Sequence, residues 1–230
     1  LIKRHGNWAP VDWRQALLEI ADKTLAVSTE QSPDEVCVLA SPNCSMETFY
    51  LLQKMLRALG SNHIDHRFRQ QDFSDQDQIQ GFPNLGMPIV ELEQQQTILL
   101  VGSDIRFEQP LLSNRFNTAY QNDAVVMAIN PIDYEYAYSL QHKQIQRDLI
   151  ASLAQLADAL EGKSVESDVI QAMAQQLMLD QKGVILLGAY AMQHPQAALI
   201  RQWAQYIAQI SNNTVSYVTD GANASGAWLA

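Results

Sequence analysis

Residues 97–110 read TILLVGSDIRFEQP, and this stretch decides the fold. The β-favouring run at residues 97–101 predicts a buried strand that stops at Gly102. A short polar turn follows, and Pro110 stands near the first turn of a predicted helix that runs to about Tyr120. In an open α/β sheet, ligands bind at the carboxyl end of such a strand, because backbone amides and a helix N-terminus converge there. The stretch therefore predicts a doubly wound, mainly parallel sheet and marks a candidate cofactor site.

Short apolar strands alternate with amphipathic helices along the rest of the chain, which is typical of βαβ units. The predicted strands are residues 36–39, a short strand beginning at Ile64, and residues 97–101, 124–129, 184–187 and 215–218. Besides the helix that runs to about Tyr120, the predicted helices are one beginning at Trp13 and others at residues 45–59, 144–160, 168–179 and 196–210. Residues 67–96 are polar and contain several glycines and prolines, which predicts a long irregular connection.

The pattern predicts three parts. Residues 1–35 form an N-terminal helical lead-in, residues 36–180 form a first Rossmann-like α/β unit with the long polar loop and a helical extension, and residues 181–230 start a second α/β unit. The lead-in helix is capped by Asp12, and its apolar stripe consists of Trp13, Ala16, Leu17 and Ile20. Because the chain lacks an initiator methionine and stops in a glycine-rich stretch, we expect an excised fragment of a longer protein.

Composition narrows the classes of function. Of the 230 residues, 47% are hydrophobic and 17% are charged, which is typical of a folded domain. The net charge of -10 and the lack of a basic cluster argue against nucleic acid as a partner. No apolar run is long enough to span a membrane, so we expect no direct membrane insertion.

The two cysteines, Cys37 and Cys44, fit a reducing compartment. They are too few for an iron–sulfur cluster held by four thiolates. Cys37 lies in an apolar run and is predicted to be a small core residue. Cys44 lies at a strand-to-helix turn, where a packing role is favoured over a reactive thiol.

The motifs that usually carry phosphate chemistry are missing. The sequence has no G-x-G-x-x-G and no Walker A motif. Gly102, Gly188 and Gly221 each follow an apolar run, but a tight turn explains each of them as well as a bound ligand does. No serine or cysteine stands in a nucleophile-elbow context, so catalysis by side chains has no support in the sequence.

Two further groups of side chains have simpler explanations than a ligand. The densest set of potential metal ligands is His63, Asp65, His66, Asp72, Asp75 and Asp77. Their spacing matches no known zinc or iron template, so a solvated polar loop is favoured over a metal site. Tyr134, Tyr136 and Tyr138 alternate as on one face of a strand, which predicts half-buried packing rather than stacking on a ligand.

Several segments carry a resemblance to a known family. Residues 41–54, SPNCSMETFYLLQK, and residues 59–65, LGSNHID, resemble the molybdopterin oxidoreductase superfamily. Within it, residues 66–72 (HRFRQQD), 81–88 (GFPNLGMP) and 100–112 (LVGSDIRFEQPLL) resemble the large iron–sulfur subunit of bacterial NADH:quinone oxidoreductase, respiratory complex I. The resemblance covers nearly the whole chain.

The chain departs from the catalytic members of that superfamily at three places. Gln71-Asp72 stands where formate dehydrogenase-like members have a metal-binding cysteine or selenocysteine followed by histidine. Asn130-Pro131-Ile132 replaces the Asp-Pro-Arg that contacts the pterin nucleotide. Asp104 puts a carboxylate beside the expected pyrophosphate, where like charges oppose binding. The resemblance thus implies a relic cleft at four positions: Gly102, Ser103, Asp104 and Asn130.

The resemblance implies a non-catalytic structural domain of that subunit, whose parent complex passes electrons from NADH to quinone. It implies no catalytic and no metal-binding residues in the chain, loss of molybdopterin, and iron–sulfur clusters in an upstream part of the protein. The implied partners are other subunits of the peripheral arm, on the cytoplasmic side of the bacterial inner membrane. Three alternatives remain open. One is a molybdenum-dependent oxidoreductase with an unusual metal ligand, and another is a nucleotide- or pterin-binding oxidoreductase domain that retains a ligand at the cleft above Gly102. The third is a nucleotide-binding regulatory module that uses the Gly102 turn for another anion.

Overall fold

The computed structural model describes residues 1–78, 83–179 and 182–230, and its chain divides into two compact units. Unit 1 consists of Leu1–Phe68 and Gly221–Ala230, and unit 2 is Arg69–Asp220. This division does not coincide with the predicted boundaries after residues 35 and 180. The reason is that a strand at Gly183–Leu187 pairs with the strand at Thr97–Val101 in one sheet, so both belong to unit 2.

The elements alternate along the chain as the sequence pattern predicts. The strands in the described residues are β1 Ile2–Arg4, β2 Asn7–Ala9, β3 Val38–Leu39, β4 Ile64–Asp65, β5 Thr97–Val101, β6 Val125–Asn130, β7 His142–Ile145, β8 Gly183–Leu187 and β9 Thr214–Tyr217. The α-helices there are α1 Trp13–Glu30, α2 Met46–Ala58, α3 Ile105–Glu108, α4 Pro110–Gln121, α5 Leu149–Leu160, α6 Asp168–Leu179, α7 Ala189–Met192, α8 Ala197–Ser211 and α9 Ala224–Leu229. Within those residues, no helix combines the length and the apolarity needed to cross a membrane.

Unit 1 contains two small sheets. β1 and β2 form an antiparallel hairpin that the sequence pattern did not predict, so the helical lead-in is preceded by strands. β3 and β4 pair in parallel, which confirms the short strand at Ile64. The predicted start of α1 is also confirmed, because the carboxylate of Asp12 accepts a hydrogen bond from the backbone N–H of Gln15 at 2.7 Å.

The apolar residues of unit 1 are more exposed than their pattern predicts. No residue of α1 is buried, and the side chain of Trp13 is 83% exposed. Cys37 is exposed, so its predicted place in a core is wrong. The physical reason is that β3 pairs only with β4 in the described residues, and a two-stranded sheet covers little apolar surface.

Unit 2 is built on a five-stranded parallel sheet with the order β7-β6-β5-β8-β9. The chain passes from β5 outward to β6 and β7, then returns to add β8 and β9 on the other side of β5. The order therefore reverses between β5 and β8, whose Thr97 and Gly183 lie side by side in the register. This topology confirms the predicted doubly wound sheet and places its switch point at the carboxyl end of β5.

Both faces of this sheet are covered by helices. Leu99 and Val101 point into a core shared with α5, α6 and α8, and Ile98 and Leu100 point into a second core that contains Phe116 of α4. All five residues of β5 are buried. Parallel sheets require this cover on both faces, and near-continuous apolar strands are its sequence signature.

The helix predicted to have a proline near its first turn and to run to about Tyr120 is α4, which begins at Pro110. The short helix α3 precedes it, and Gln109 between them is not helical (φ −145°, ψ 80°), because the residue before a proline is disfavoured in that conformation. One predicted helix differs from the observed one. The helix expected from residue 144 begins at Leu149, where Asp148 caps it through the N–H of Ala151. The residues before α5 form β7, a half-exposed edge strand. Its polar side chains give no apolar pattern from which the strand could be predicted.

Candidate functional site

The candidate site lies where β5 and β8 end side by side. Gly102 has a positive φ of 56°, and a Cβ atom at Gly188 would lie 2.3 Å from the Cβ of Ser103. The carbonyl oxygen of Gly102 accepts hydrogen bonds from the N–H groups of Tyr190 (3.1 Å) and Ala191 (3.3 Å). The two strand-end turns are therefore packed directly against each other, and both glycines are required by that close approach.

The side chain of Glu108 fills the anion position at this switch point. Its Oε1 accepts a hydrogen bond from the backbone N–H of Asp104 at 2.8 Å. Its Oε2 accepts one from the hydroxyl of Ser103 at 3.1 Å and one from the backbone N–H of Ala189 at 3.1 Å. Backbone amides at two helix starts, joined by a hydroxyl, form the donor set that binds phosphate or carboxylate groups in other proteins. Here the chain supplies the anion itself.

Burial raises the pKa of the Glu108 carboxyl, and the hydrogen bonds from Ala189, Asp104 and Ser103 act in the opposite direction. The neighbouring charge of Asp104 raises the Glu108 pKa further. Each hydrogen bond to the carboxylate favours the ionised form, while removal from water disfavours it. The balance leaves a carboxyl that is harder to ionise than an exposed glutamate.

Asp104 stands immediately before α3, but its carboxylate makes no capping hydrogen bond there. Its Oδ1 is buried and has no hydrogen-bond partner. Burial raises the pKa of Asp104, and Arg106 and the N–H of Phe107 lower it. The carboxylate predicted beside a pyrophosphate is thus present at the turn, next to the carboxylate of Glu108.

Asn130 ends β6 and holds the turn after β5. Its Oδ1 accepts a hydrogen bond from the N–H of Ser103 at 2.9 Å, and its Nδ2 donates to the hydroxyl oxygen of Tyr136 at 2.7 Å. That hydroxyl in turn donates to the carbonyl oxygen of Ser103 at 2.7 Å. Burial is the main cause that raises the pKa of Tyr136. Asn130 therefore has a structural role in which both its amide oxygen and its amide nitrogen are used.

The three alternating tyrosines lie in an irregular segment rather than a strand, but their predicted half-buried packing is confirmed, because Tyr134 and Tyr136 are half-buried and Tyr138 is buried. The ring of Tyr138 packs against that of Tyr136 with centroids 5.7 Å apart. The segment after β6 is irregular because it wraps the end of the sheet and delivers the Tyr136 hydroxyl to the Ser103 carbonyl.

The structure brings all four predicted cleft positions to one place: Gly102, Ser103, Asp104 and Asn130. Sequence reasoning missed Glu108, Ala189 and Tyr136. The spacing of Asp104 and Glu108, four residues apart on a predicted helix, was the one available signal for a carboxylate pair. Ala189 gave no signal, because its contribution is a backbone N–H that lies 81 residues from Glu108 in the sequence.

The candidate metal ligands of unit 1 have other contacts. The carboxylate of Asp65 accepts from the guanidinium of Arg67 at 3.0 Å, and His63 lies 3.4 Å from Asp34. His66 packs against the rings of Phe49 and Trp228, and its Nε2 is buried without a partner. Burial lowers the pKa of His66.

The candidate ligands of unit 2 stabilise the start of α8. Asp72 accepts from the N–H of Ala198 at 2.8 Å and so caps that helix from a distance. Asp75 and Arg201 form a buried ion pair with contacts of 2.6 and 2.7 Å. The prediction of a solvated loop is therefore wrong for Asp75. Among residues 1–78, 83–179 and 182–230, no group of three or more histidine, cysteine, aspartate or glutamate side chains is arranged to hold a metal.

Comparisons with known proteins cover nearly the whole chain. The family model described as "Molybdopterin oxidoreductase" matches residues 1–226. The catalytic subunit of assimilatory nitrate reductase from Bacillus subtilis is 31% identical over 142 residues, which are 57% of this chain and 19% of that protein. A subunit of NADH-quinone oxidoreductase from Rickettsia conorii is 25% identical over 153 residues, which are 66% of this chain and 22% of that protein.

Another relative is the F420-dependent formate dehydrogenase subunit alpha of Methanocaldococcus jannaschii, 29% identical over 57% of this chain. The chain spans about a fifth of the length of these relatives, as the shares of 19% and 22% show. A crystal structure of the formyltransferase/hydrolase complex from Methylorubrum extorquens matches 96% of this chain and 60% of the other chain, with a TM-score of 0.66 and 15% identity. That likeness shows a shared fold.

Proposed function

The chain belongs to the molybdopterin oxidoreductase family, and from that premise we propose that it is a non-catalytic structural domain of the large iron–sulfur subunit of an NADH:quinone oxidoreductase. One observation carries the proposal: the carboxylate of Glu108 accepts hydrogen bonds from the backbone N–H groups of Asp104 and Ala189, at the switch point of the sheet. A ligand phosphate at this position would have to displace a side chain that already accepts three hydrogen bonds. The domain keeps the geometry of a nucleotide cleft and fills it with its own anion.

The residues of the cleft do not fit the pyrophosphate of a pterin nucleotide. A pyrophosphate would meet the carboxylates of Asp104 and Glu108, and like charges repel most strongly where water is excluded. Arg106 is a nearby cation, but it points to Glu135 at 4.0 Å and is half-exposed. We therefore assign no molybdopterin to this chain.

The electron carriers of the proposed parent protein lie outside these 230 residues. The chain has only Cys37 and Cys44, whereas the common iron–sulfur clusters need four thiolates. On this proposal, the parent complex passes electrons from NADH to quinone, and the domain contacts other subunits of the peripheral arm on the cytoplasmic side of the bacterial inner membrane. Three NADH-quinone oxidoreductase subunits, from Rickettsia conorii, R. felis and R. typhi, each match 66% of this chain and support that assignment.

A catalytic oxidoreductase domain is the second candidate. The observation that favours it is the 31% identity to the catalytic subunit of assimilatory nitrate reductase, against 25% for the NADH-quinone oxidoreductase subunit of Rickettsia conorii. On this alternative, the cleft above Gly102 retains a nucleotide or pterin, and Glu108 moves aside when the ligand binds.

Metal and pterin analysis of the native polypeptide separates the two candidates. We expect iron without molybdenum, tungsten or extractable pterin. Stoichiometric molybdenum or pterin would overturn the structural role and support the catalytic alternative. Plasma mass spectrometry measures the metals, and fluorescence of the oxidised pterin measures the organic part.

Ligand titration of the 230-residue chain tests the cleft directly. We expect inorganic pyrophosphate and GDP to leave its melting temperature unchanged, whereas a bound ligand at a hundredfold excess over Kd would stabilise it by about 2.7 kcal/mol. Glu108→Ala removes the internal anion and is expected to create weak, saturable pyrophosphate binding. Glu166→Ala, an exposed carboxylate of the same unit, is the matched control. Saturable stabilisation of the wild-type chain would contradict the proposal.

A further inference from the structure

Two carboxylates share the turn after β5, and their hydrogen bonding is unequal. Glu108 accepts from three donors, at 2.8, 3.1 and 3.1 Å. The Oδ1 of Asp104 is also hidden from water and has none. A buried acceptor without a donor is costly, and an ionised one costs more because its charge has left water. The geometry therefore disfavours the ionised form of Asp104.

The charged and titratable groups around the pair do not neutralise it. On α3, Arg106 is half-exposed and faces Glu135 at 4.0 Å, so it is shared with another carboxylate. The segment after β6 contributes the hydroxyls of Tyr134 and Tyr136, both of which interact electrostatically with the two carboxylates. On α7, Tyr190 lies beside Tyr134, and its ring packs on that of His194 at 5.9 Å. The charge of Arg106 lowers the pKa of Asp104.

We propose that Asp104 and Glu108 titrate as a coupled pair in which Asp104 takes up the first proton, and that this protonation is a latch between the turn after β5 and the turn after β8. With the proton on Asp104, its buried carboxyl group is neutral and only one negative charge remains at the turn. Glu108 then keeps its carboxylate for the N–H groups of Asp104 and Ala189. The inference goes beyond the proposed function, because it concerns proton binding by the chain alone and holds for any parent complex.

The sign of the pH effect follows from the folded-state pKa values. Burial raises the pKa of both Asp104 and Glu108 from the ordinary carboxyl value of about 4. The folded state therefore binds more protons than the unfolded state over a range above that value. Stability relative to the unfolded chain therefore falls as the pH rises through the folded pKa values. The one-proton latch itself is populated between the two midpoints of the pair, and it is also lost below the lower midpoint, where Glu108 is protonated as well.

Carbon-13 NMR of the carboxyl carbons in the full 230-residue chain tests the latch. We expect Asp104 and Glu108 to titrate together, in two steps that belong to the pair, with at least one midpoint above the ordinary range. The amide signals of Asp104 and Ala189 should move with the same midpoints. In parallel, the folding equilibrium constant should fall as the pH rises from the ordinary carboxyl value to a raised midpoint. The fall should be about tenfold for each unit by which that midpoint is raised.

Asp104→Asn imitates the protonated pair and should remove most of this pH dependence. Asp77→Asn, an exposed carboxylate in the same unit, is the matched control and should keep it. Glu108→Gln should leave the Ala189 amide signal independent of pH, provided its spectrum shows a folded chain. Identical pH profiles for wild type and Asp104→Asn, or carboxyl carbons that titrate near the ordinary range, would overturn the latch. Molybdenum in the native protein would overturn the proposed function and leave these titrations unchanged.

Discussion

Unit 2 and unit 1 both contain parallel strands, but they bury the apolar residues of those strands to different extents. In unit 2 every residue of β5 and β8 is buried, and helices cover both sheet faces. In unit 1 the pair β3–β4 is only two residues long, and Leu39 is 63% exposed. The comparison shows that an apolar run predicts the type of an element. Whether its side chains are buried depends on how many strands and helices pack around it.

The largest contrast is expected between two ion pairs. Asp75→Asn leaves Arg201 buried without its partner charge and should destabilise unit 2 by about 3–5 kcal/mol. Asp65→Asn in unit 1 should cost about 0–1 kcal/mol, because its pair with Arg67 is partly exposed and the amide oxygen still accepts backbone hydrogen bonds. Urea unfolding, monitored by hydrogen exchange of the backbone amides in β5 and α2, measures the free energy of unfolding of both units. Equal losses would remove the contrast.

Truncation of a strand leucine should also destabilise the two units to different extents. Leu99→Ala in β5 should cost about 2–5 kcal/mol, because the side chain is fully buried between helices and sheet. Leu39→Ala in β3 should cost less than about 0.5 kcal/mol, as is usual for exposed positions. The same urea titrations give both values. A large loss at Leu39 would show that a surface of unit 1 is covered in solution.

Gly188→Ala tests the close approach of the two turns. Its Cβ atom would collide with the Cα and Cβ atoms of Ser103, at 2.4 and 2.3 Å, so we expect a loss of about 1–3 kcal/mol and faster exchange of the Ala189 amide. Gly6→Ala in the hairpin of unit 1 is the control. It strains a positive φ but meets no atom within 4 Å, so exchange in unit 2 should not change. Unchanged exchange in Gly188→Ala would contradict this packing of the two turns.

Apart from the changes at Asp65 and Leu39, the smallest expected losses come from two helix caps. Asp72→Ala and Asp12→Ala should each cost about 1 kcal/mol at neutral pH. Hydrogen bonds, first from the Ser74 hydroxyl and then from the Ala198 amide, lower the pKa of Asp72. Its contribution is therefore present above the ordinary carboxyl pKa of about 4 and is lost as the pH falls through the folded value. Stability curves of wild type and Asp72→Ala should converge at low pH, and parallel curves would contradict this cap.

The buried parts of unit 2 were predictable because their periodicity is unambiguous. β5 and α6 have the bounds that the pattern predicts, and β8 differs only by including Gly183. β7 was missed because an edge strand with polar residues has no apolar signal, and the hairpin β1–β2 because its strands are only three residues long.

The turn at Gly102 could be predicted because a glycine follows an apolar strand, whereas Ser103, Asp104 and Asn130 were implied by the resemblance to the family. Their chemistry did not follow. The hydrogen bonds of Glu108 depend on a backbone N–H that follows β8 and on a hydroxyl, and neither is visible in local sequence. Asp75 and Arg201 were likewise separated by 126 residues, so their pairing could not be inferred from spacing.

The position of β5 between β6 and β8 has a consequence for biosynthesis. Thr97 pairs with Val125, which follows soon after it, and with Gly183, which leaves the ribosome much later. Pairings across long sequence separations form slowly, because the intervening chain must be closed first. In a nascent chain β5 can thus pair with β6 early. One edge of β5 and the Glu108 carboxylate lack their partners until β8 and Ala189 have been synthesised. During that interval the unpaired edge is open to wrong partners, so a pause in translation shortly before residue 183 would raise the risk of aggregation.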